Sequence, residues 1–214
     1  MTRQFNDLQP VAIRANLERV RERIAAAGRD PGDVELLAAV KYVPIGELPV
    51  LAEAGVTLVG ENRAQDLVAK HAAHGALFEW DFIGALQSRK VKQIAPIARL
   101  IHSVATESAL AQLERHRARE ILVQVNVAGE EGKAGVAPED LGRFLAAAPV
   151  PVGGLMTMPP FVERAEDNRR HFARLAELAA EHGLRRLSMG TSQDYEVAVQ
   201  EGATIVRLGA ALYS

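Results

Sequence analysis

The sequence predicts a closed (β/α)8 barrel with one helix added in front. Short apolar runs bounded by turn residues recur at eight places, and stretches of helical character separate them. The runs are continuously apolar, as in strands buried on both faces, and parallel neighbours need crossover helices, so the alternation implies a parallel sheet. The alternative is an open doubly wound sheet, but no GxGxxG follows the first strand and the strand count favours closure.

Taken in order, Ile13, Leu17, Val20 and Ile24 fall at helical spacing with Arg and Glu between them, and Gly28 then Pro31 end the pattern. Residues 1–30 therefore read as a helix packed on the barrel. Strands are expected at Val34 to Val40, Val56 to Val59, Trp80 to Ile83, Leu100 to Val104, Ile121 to Val127, Val152 to Met156, Leu187 to Met189 and Thr204 to Leu208. Helices are expected at Ile45 to Ala54, Arg63 to Ala73, Gln87 to Ala95, Thr106 to His116, Pro138 to Ala147, Glu166 to His182 and Tyr195 to Gln200. The uncharged stretch from Phe144 to Val162 has the length of a membrane span, but Pro149, Pro151, Pro159, Pro160 and Gly153-Gly154 would deprive a helix of hydrogen bonds. It reads as loop, buried strand, loop. No break in composition separates residues 30 and 214, which gives one domain over 1–214.

The 214 residues are 48% hydrophobic and 24% charged, ordinary globular values that exclude disorder. A net charge of −2 supplies no positive field to hold nucleic acid or an anionic membrane. Absence of cysteine excludes disulfides, a thiolate nucleophile and a Cys-based zinc site, and no His/Asp/Glu cluster has metal-site spacing. The N-terminus lacks the apolar segment of a secretory signal, so a cytoplasmic location is expected.

A barrel collects its active site where the strands end and the βα loops meet. Lys41 ends the run LLAAVK, so its amine is expected at the mouth, where desolvation favours the neutral form that condenses with carbonyls. A lysine that snorkels to water is the plainer reading. Gly190, Thr191 and Ser192 lie between a strand and a helix beginning near Asp194, and with Gly209-Ala210 they occupy the usual phosphate station of a barrel. Arg207, flanked by Val206 and Leu208, requires a partner, with Glu61 as candidate or else a ligand acceptor. His102 reads as a satisfied supporting side chain, Met156 and Met158 as packing or an apolar wall, and Asn126 and Lys133 as a solvated turn or rim. Lysine, phosphate cradle and arginine in one mouth describe a site for pyridoxal 5'-phosphate (PLP).

The stretches VKYVP, GENRAQDL, WDFIGALQSRKVKQIAP, IHSV, QVNVAGEEGKAGV, GLMTMPP, LSMGTSQDYEVAVQEGA and VRLGAALY occur in order from about residue 35 to the end. Together they resemble the YggS/PROSC family of pyridoxal phosphate homeostasis proteins. The resemblance implies an alanine-racemase-like barrel with PLP covalently on Lys41 as an aldimine. It also implies phosphate held by Ser192 and the backbone near Gly190, Thr191, Gly209 and Ala210, with Arg207 facing the pyridine nitrogen. Asn62, Met158, Ser188 and Met189 would line the ring or its lysine. Three positions depart from the family pattern: Val40 where Ser or Thr is frequent, Ala210 where Thr is frequent, and Ala85 where His is common.

An arginine beside the pyridine nitrogen keeps that nitrogen unprotonated and the ring a weak electron sink, so decarboxylation and transamination lose support. Racemisation needs acid/base groups on both faces. In barrel racemases an additional β domain helps supply the opposing tyrosine, and no counterpart of it is expected here. The expected function is therefore PLP homeostasis, holding and delivering the cofactor without catalytic turnover, with no catalytic residue. PLP-dependent apoenzymes are the expected macromolecular partners and a monomer the expected state. The rival readings are a weak racemase-like enzyme and a class I aldolase-type Schiff-base barrel.

Overall fold

The computed structural model describes residues 4–214, so Met1 to Arg3 of the expected domain lie outside the described residues. Eight strands form, β1 Glu35–Ala39, β2 Leu58–Glu61, β3 Glu79–Phe82, β4 Leu100–Val104, β5 Ile121–Gln124, β6 Val152–Met156, β7 Arg186–Thr191 and β8 Ile205–Leu208. Each pairs in parallel with the next, and β8 pairs with β1 through Leu37↔Arg207 and Ala38↔Leu208, closing the barrel.

All eight expected strands are present, β4 and β6 with the expected ends and the other six with shifted ones. The second begins two residues later than its apolar run and extends to Glu61, and the fifth stops at Gln124, after which Val125 makes only an isolated bridge to Val136. The seventh is longer at both ends: Ser188 and Gly190 interrupt its apolar signal, yet it pairs with β8 at Ser188↔Ile205 and again at Thr191↔Arg207, across a register shift between them.

The helices are α1 Pro10–Ala26, α2 Leu48–Glu53, α3 Ala64–His74, α4 Val91–Ile94, α5 Glu107–Arg115, α6 Leu141–Ala146, α7 Arg169–Glu181, α8 Tyr195–Gln200 and α9 Ala210–Tyr213. Where sequence spacing predicts one long helix at 45–54, 87–95 and 166–182, a 3-10 turn leads into a shorter α-helix. Helix α9 has no counterpart in the sequence reading. Helix α1 opens on Pro10, whose missing N–H is one of the unpaired donors of a first turn. It closes where Gly28, at φ +88, lets its N–H reach Ala25 O and the Arg29 N–H reach Ile24 O, satisfying the last carbonyls. Ile13, Leu17, Val20 and Ile24 are buried as predicted.

Period-two alternation sorts the strand residues. Val59, Trp80, Phe82, Ile101, Leu187, Met189, Val206 and Leu208 join the core between sheet and helices. Leu37, Leu58, Leu100, Leu122, Met156 and Ile205 fill the barrel axis. Among the described residues no helix is long and apolar enough to cross a membrane.

Candidate functional site

Arg207 stands in the inward phase of β8, so its guanidinium enters the axis while Val206 and Leu208 pack outside. It is only 7% exposed. Nη1 donates to Ser188 O at 2.7 Å and Ser188 Oγ at 2.6 Å, Nη2 donates to Thr157 O at 2.9 Å, and Met158 Sδ lies 3.5 Å from Nη2. Burial pushes this guanidinium down to about 10, against the opposing pull of the Asp194 charge.

The expectation that Glu61 pairs with Arg207 is corrected. In β2 the inward position is Gly60, which leaves Glu61 facing α3. There its Oε2 meets Lys70 Nζ at 2.6 Å, and its Oε1 accepts the N–H groups of Asn62 at 2.6 Å and Arg63 at 3.2 Å. Lys70 Nζ also donates to Val40 O at 2.5 Å, so this buried pair ties together the ends of β1 and β2.

A desolvated Lys41 is likewise corrected. Strand β1 ends at Ala39, and the chain turns as the Val43 N–H bonds Val40 O at 3.0 Å. Lys41 therefore sits on a turn with its side chain exposed, Nζ lying 4.7 Å from the centroid of the Tyr42 ring. It has no carboxylate partner among the described residues.

Met189, expected to line the ring, is fully buried between sheet and helices, because Ser188 takes the inward phase beside it. The remaining residues of the cradle meet at the ends of β7 and β8. Gly190 has φ +89, and a Cβ there would lie 2.6 Å from Ala198 Cβ and 2.9 Å from Tyr195 Cα, so only glycine lets α8 start this close to the strand. The Thr191 N–H and hydroxyl both donate to Asp194 Oδ1, at 2.7 and 3.0 Å. Ser192 Oγ accepts the N–H groups of Gly209 at 3.0 Å and Ala211 at 3.1 Å, locking the two loops together. Its proton is directed away from both donors, and the space over Gly209 is open.

Met158, Gly190, Thr191, Asp194 and Arg207 line one cavity of about 290 Å³. Asn62 lines a second with Ala85 and Gln87, and Lys41 a third with Tyr42 and Lys70. The structure thus joins the arginine and the loop after β7 in one cavity, ties Ser192 to the loop after β8 beside it, and leaves Lys41 and Asn62 facing other spaces. Asn62 Oδ1 is buried without a hydrogen-bond partner. The backbone of Asn62 runs so close to Gly84 that a Cβ there would lie 1.8 Å from Asn62 O.

His102 is fully buried and bonded on both ring nitrogens, 2.8 Å from Ser188 Oγ and 3.1 Å from Asp81 Oδ2. Sequence reasoning gave His102 this supporting place but missed Asp81 and Arg99. Asp81 carried a signal in its phase, since Asp81 and His102 are polar residues at inward positions of the runs WDFI and LIHSV, whereas Arg99, ahead of the fourth run, carried none. In the 126–136 loop, Asn126 bonds Glu130 backbone and Lys133 pairs with Glu130, as a turn closed on itself.

Chemically, a buried guanidinium bonded only to neutral protein acceptors suits an uncharged ring acceptor or an anion. The Ser192 hydroxyl and the open backbone near Gly209 suit a second, anionic group. The residues present fit an elongated ligand carrying both.

The family described as alanine racemase, N-terminal domain, matches residues 8–214. A pyridoxal phosphate homeostasis protein of Aquifex aeolicus is 40% identical over 213 residues, covering 92% of this chain and 93% of that one. A protein of unknown function from Bifidobacterium adolescentis superposes with a TM-score of 0.87 at 32% identity, over 99% of this chain and 98% of that one. PipY of Synechococcus elongatus PCC7942, in a structure with PLP bound, superposes with a TM-score of 0.76 at 31% identity, over 91% of this chain and 100% of PipY. With a family model over residues 8–214 and near full-length relatives in agreement with the closed barrel, the chain belongs to the family of pyridoxal phosphate homeostasis proteins, built on the alanine racemase N-terminal domain fold.

Proposed function

We propose that this protein binds PLP at the barrel mouth, covalently through Lys41, and that residues 1–214 act as one cofactor-holding domain that buffers PLP and hands it to apoenzymes without turning over a substrate. The observation that carries the reading is Arg207, a buried cation at the axis whose hydrogen-bond partners are all neutral. A pyridine nitrogen gives its remaining N–H donors a further acceptor, and the anionic tail matches the Ser192 hydroxyl and the open backbone near Gly209. PipY, alike over its whole length, has PLP bound in its structure, which supports the same ligand here.

In this reading Arg207 faces the ring nitrogen, oriented by Ser188, with Met189 packed behind the strand and Met158 at the lip. Ser192 donates its hydroxyl proton to the phosphate, joined by the backbone at Gly190 and Ala210, while Thr191 and Gly209 shape the cradle through their own N–H bonds to Asp194 and Ser192. Asn62 offers its unpaired Oδ1 on the opposite side. PLP supplies the aldehyde that condenses with an amine. The Lys41 side chain must leave Tyr42 and turn over the mouth, a rotation of a flexible four-carbon stem that breaks no ion pair among the described residues. Arg207, always a donor, leaves the ring nitrogen unprotonated and favours holding over carbanion chemistry. The test is spectral titration: wild-type protein is expected to turn yellow with added PLP and Lys41→Ala to develop no such band, whereas a colourless wild type would refute the reading.

A further inference from the structure

A line of polar side chains crosses the barrel from its floor to its mouth. Glu35, the first residue of β1, accepts Arg99 Nη2 at 2.6 Å and Arg186 Nη1 at 3.2 Å. Arg99 in turn grips Asp81, Nε to Oδ1 at 3.0 Å and Nη2 to Oδ2 at 2.8 Å. Asp81 Oδ2 meets His102 Nε2, His102 Nδ1 meets Ser188 Oγ, and Ser188 Oγ meets Arg207 Nη1. From Asp81 to Arg207 every side chain is buried.

Donor counting fixes the direction of this line. A guanidinium has donors only, so Ser188 Oγ is an acceptor towards Arg207; Asp81, as an anion, can only accept from His102 Nε2, which leaves Nδ1 of a neutral ring to accept the Ser188 proton. A neutral imidazole accepting at Nδ1 carries its proton on Nε2 and gives that hydrogen bond to Asp81. Burial pushes the His102 imidazole down against the raising effect of Asp81, which keeps the ring neutral. Burial alone would raise the Asp81 carboxyl, but hydrogen bonds from Arg99 and His102 outweigh it and hold Asp81 below the usual carboxylate range, an anion. Arg207 is thereby linked to a carboxylate only through two neutral groups, and its positive charge stays undivided at the mouth.

We propose that Asp81 and His102 are positioning residues for the bound ring: by setting the direction of the Ser188 hydroxyl, they hold Arg207 as a fixed, fully charged donor aimed at the ring nitrogen. The inference rests on the PLP reading above and adds to it a device running the length of the barrel. Asp81→Asn unfixes the line. Its carboxamide has one oxygen for the three donors Arg99 Nε, Arg99 Nη2 and His102 Nε2, so it no longer holds the ring proton on Nε2 as the anion does; with that proton on Nδ1, the Ser188 hydroxyl accepts from His102 and Arg207 alike and its own proton has no fixed direction.

Nitrogen-15 NMR of histidine-labelled, PLP-free protein reads the tautomer, with His102→Leu identifying the resonance. The expected result is the Nε2–H form alone in wild type and a population of the Nδ1–H form in Asp81→Asn. On PLP titration, Asp81→Asn and His102→Leu are both expected to lose about tenfold or more in affinity, the size of one hydrogen bond to a charged group, and to shift the absorption band. Glu35→Gln, which disturbs the same ion cluster while leaving Asp81 on Arg99, is expected to lower stability and leave tautomer and spectrum alone. A wild-type His102 in the Nδ1–H or doubly protonated form at neutral pH overturns the proposal. So do wild-type affinity and spectrum in both Asp81→Asn and His102→Leu, or a Glu35→Gln that changes the spectrum as they do. A wild type that takes up no PLP overturns the cofactor reading itself, and is thereby distinguishable from failure of the positioning line alone.

Discussion

Lys41 and Lys70 are the same side chain in two settings. Lys70 is buried against Glu61 and the Val40 carbonyl, while Lys41, one residue beyond that carbonyl, lies exposed on Tyr42. Removing one partner of a buried pair leaves the other charge uncompensated, so Lys70→Met is expected to cost about 3–5 kcal/mol in urea unfolding. Lys41→Ala, in contrast, should leave the unfolding midpoint near wild type. At the arginine, loss of a charged hydrogen bond is worth about 1.5–3 kcal/mol, so Arg207→Ala is expected to weaken PLP retention by at least about tenfold in equilibrium dialysis, and wild-type retention would contradict its place in the site. At this scale the sequence showed which residues stand at strand ends, since Arg207, Ser192 and Gly190 were all named from their runs. It did not show partners. Glu61 was a reasonable mate for Arg207 by charge, and strand phase decided otherwise by turning it towards Lys70. Asp81, His102, Ser188 and Arg207 come from four strands, and only the closed pairing brings them into one line.

Among the elements, periodicity located strands better than helices. A buried strand is a short apolar run, and eight of these were readable. Helix lengths were not, because 3-10 turns carry similar spacing into the entrances of α2, α4 and α7, and four-residue α9 is too short to repeat any pattern. Two glycines separate conformational from steric need. Gly28 closes α1 with a positive φ and nothing within 4 Å of an added Cβ, so Gly28→Ala is expected to cost about 1–2 kcal/mol, the penalty of left-handed backbone alone. Gly190 has both a positive φ and a Cβ site 2.6 Å from Ala198 Cβ. Gly190→Ala must displace α8 from β7, and it is expected to destabilise more than Gly28→Ala and to weaken PLP retention as well; equal effects from the two variants would mean that close packing of α8 is not what the glycine serves.

For the whole molecule, the buried line down the axis couples stability to pH. Asp81 and His102 are both held below their ordinary ranges in the fold. Each therefore contributes stability that is present above its unfolded pKa and lost as pH falls towards its folded one. The histidine acts first, because its unfolded pKa is about 6.5 against about 3.9 for an aspartate. Urea midpoints are expected to decline below about pH 6.5, and the decline between about pH 6.5 and 5 to be shallower in His102→Leu, whose absolute stability is lower. A parallel decline in both proteins would show that His102 titrates as it does in the unfolded chain. The closed barrel and its order of strands were legible in the sequence because they follow from local patterns, whereas the orientation of Lys41 was not, because it depends on a turn stabilised by Lys70 from another helix. That same lysine can be read directly: when the protein is loaded with PLP, reduced with borohydride, digested and weighed by mass spectrometry, the cofactor mass is expected on the peptide containing Lys41, and the mass on another lysine, or on none, would refute attachment there.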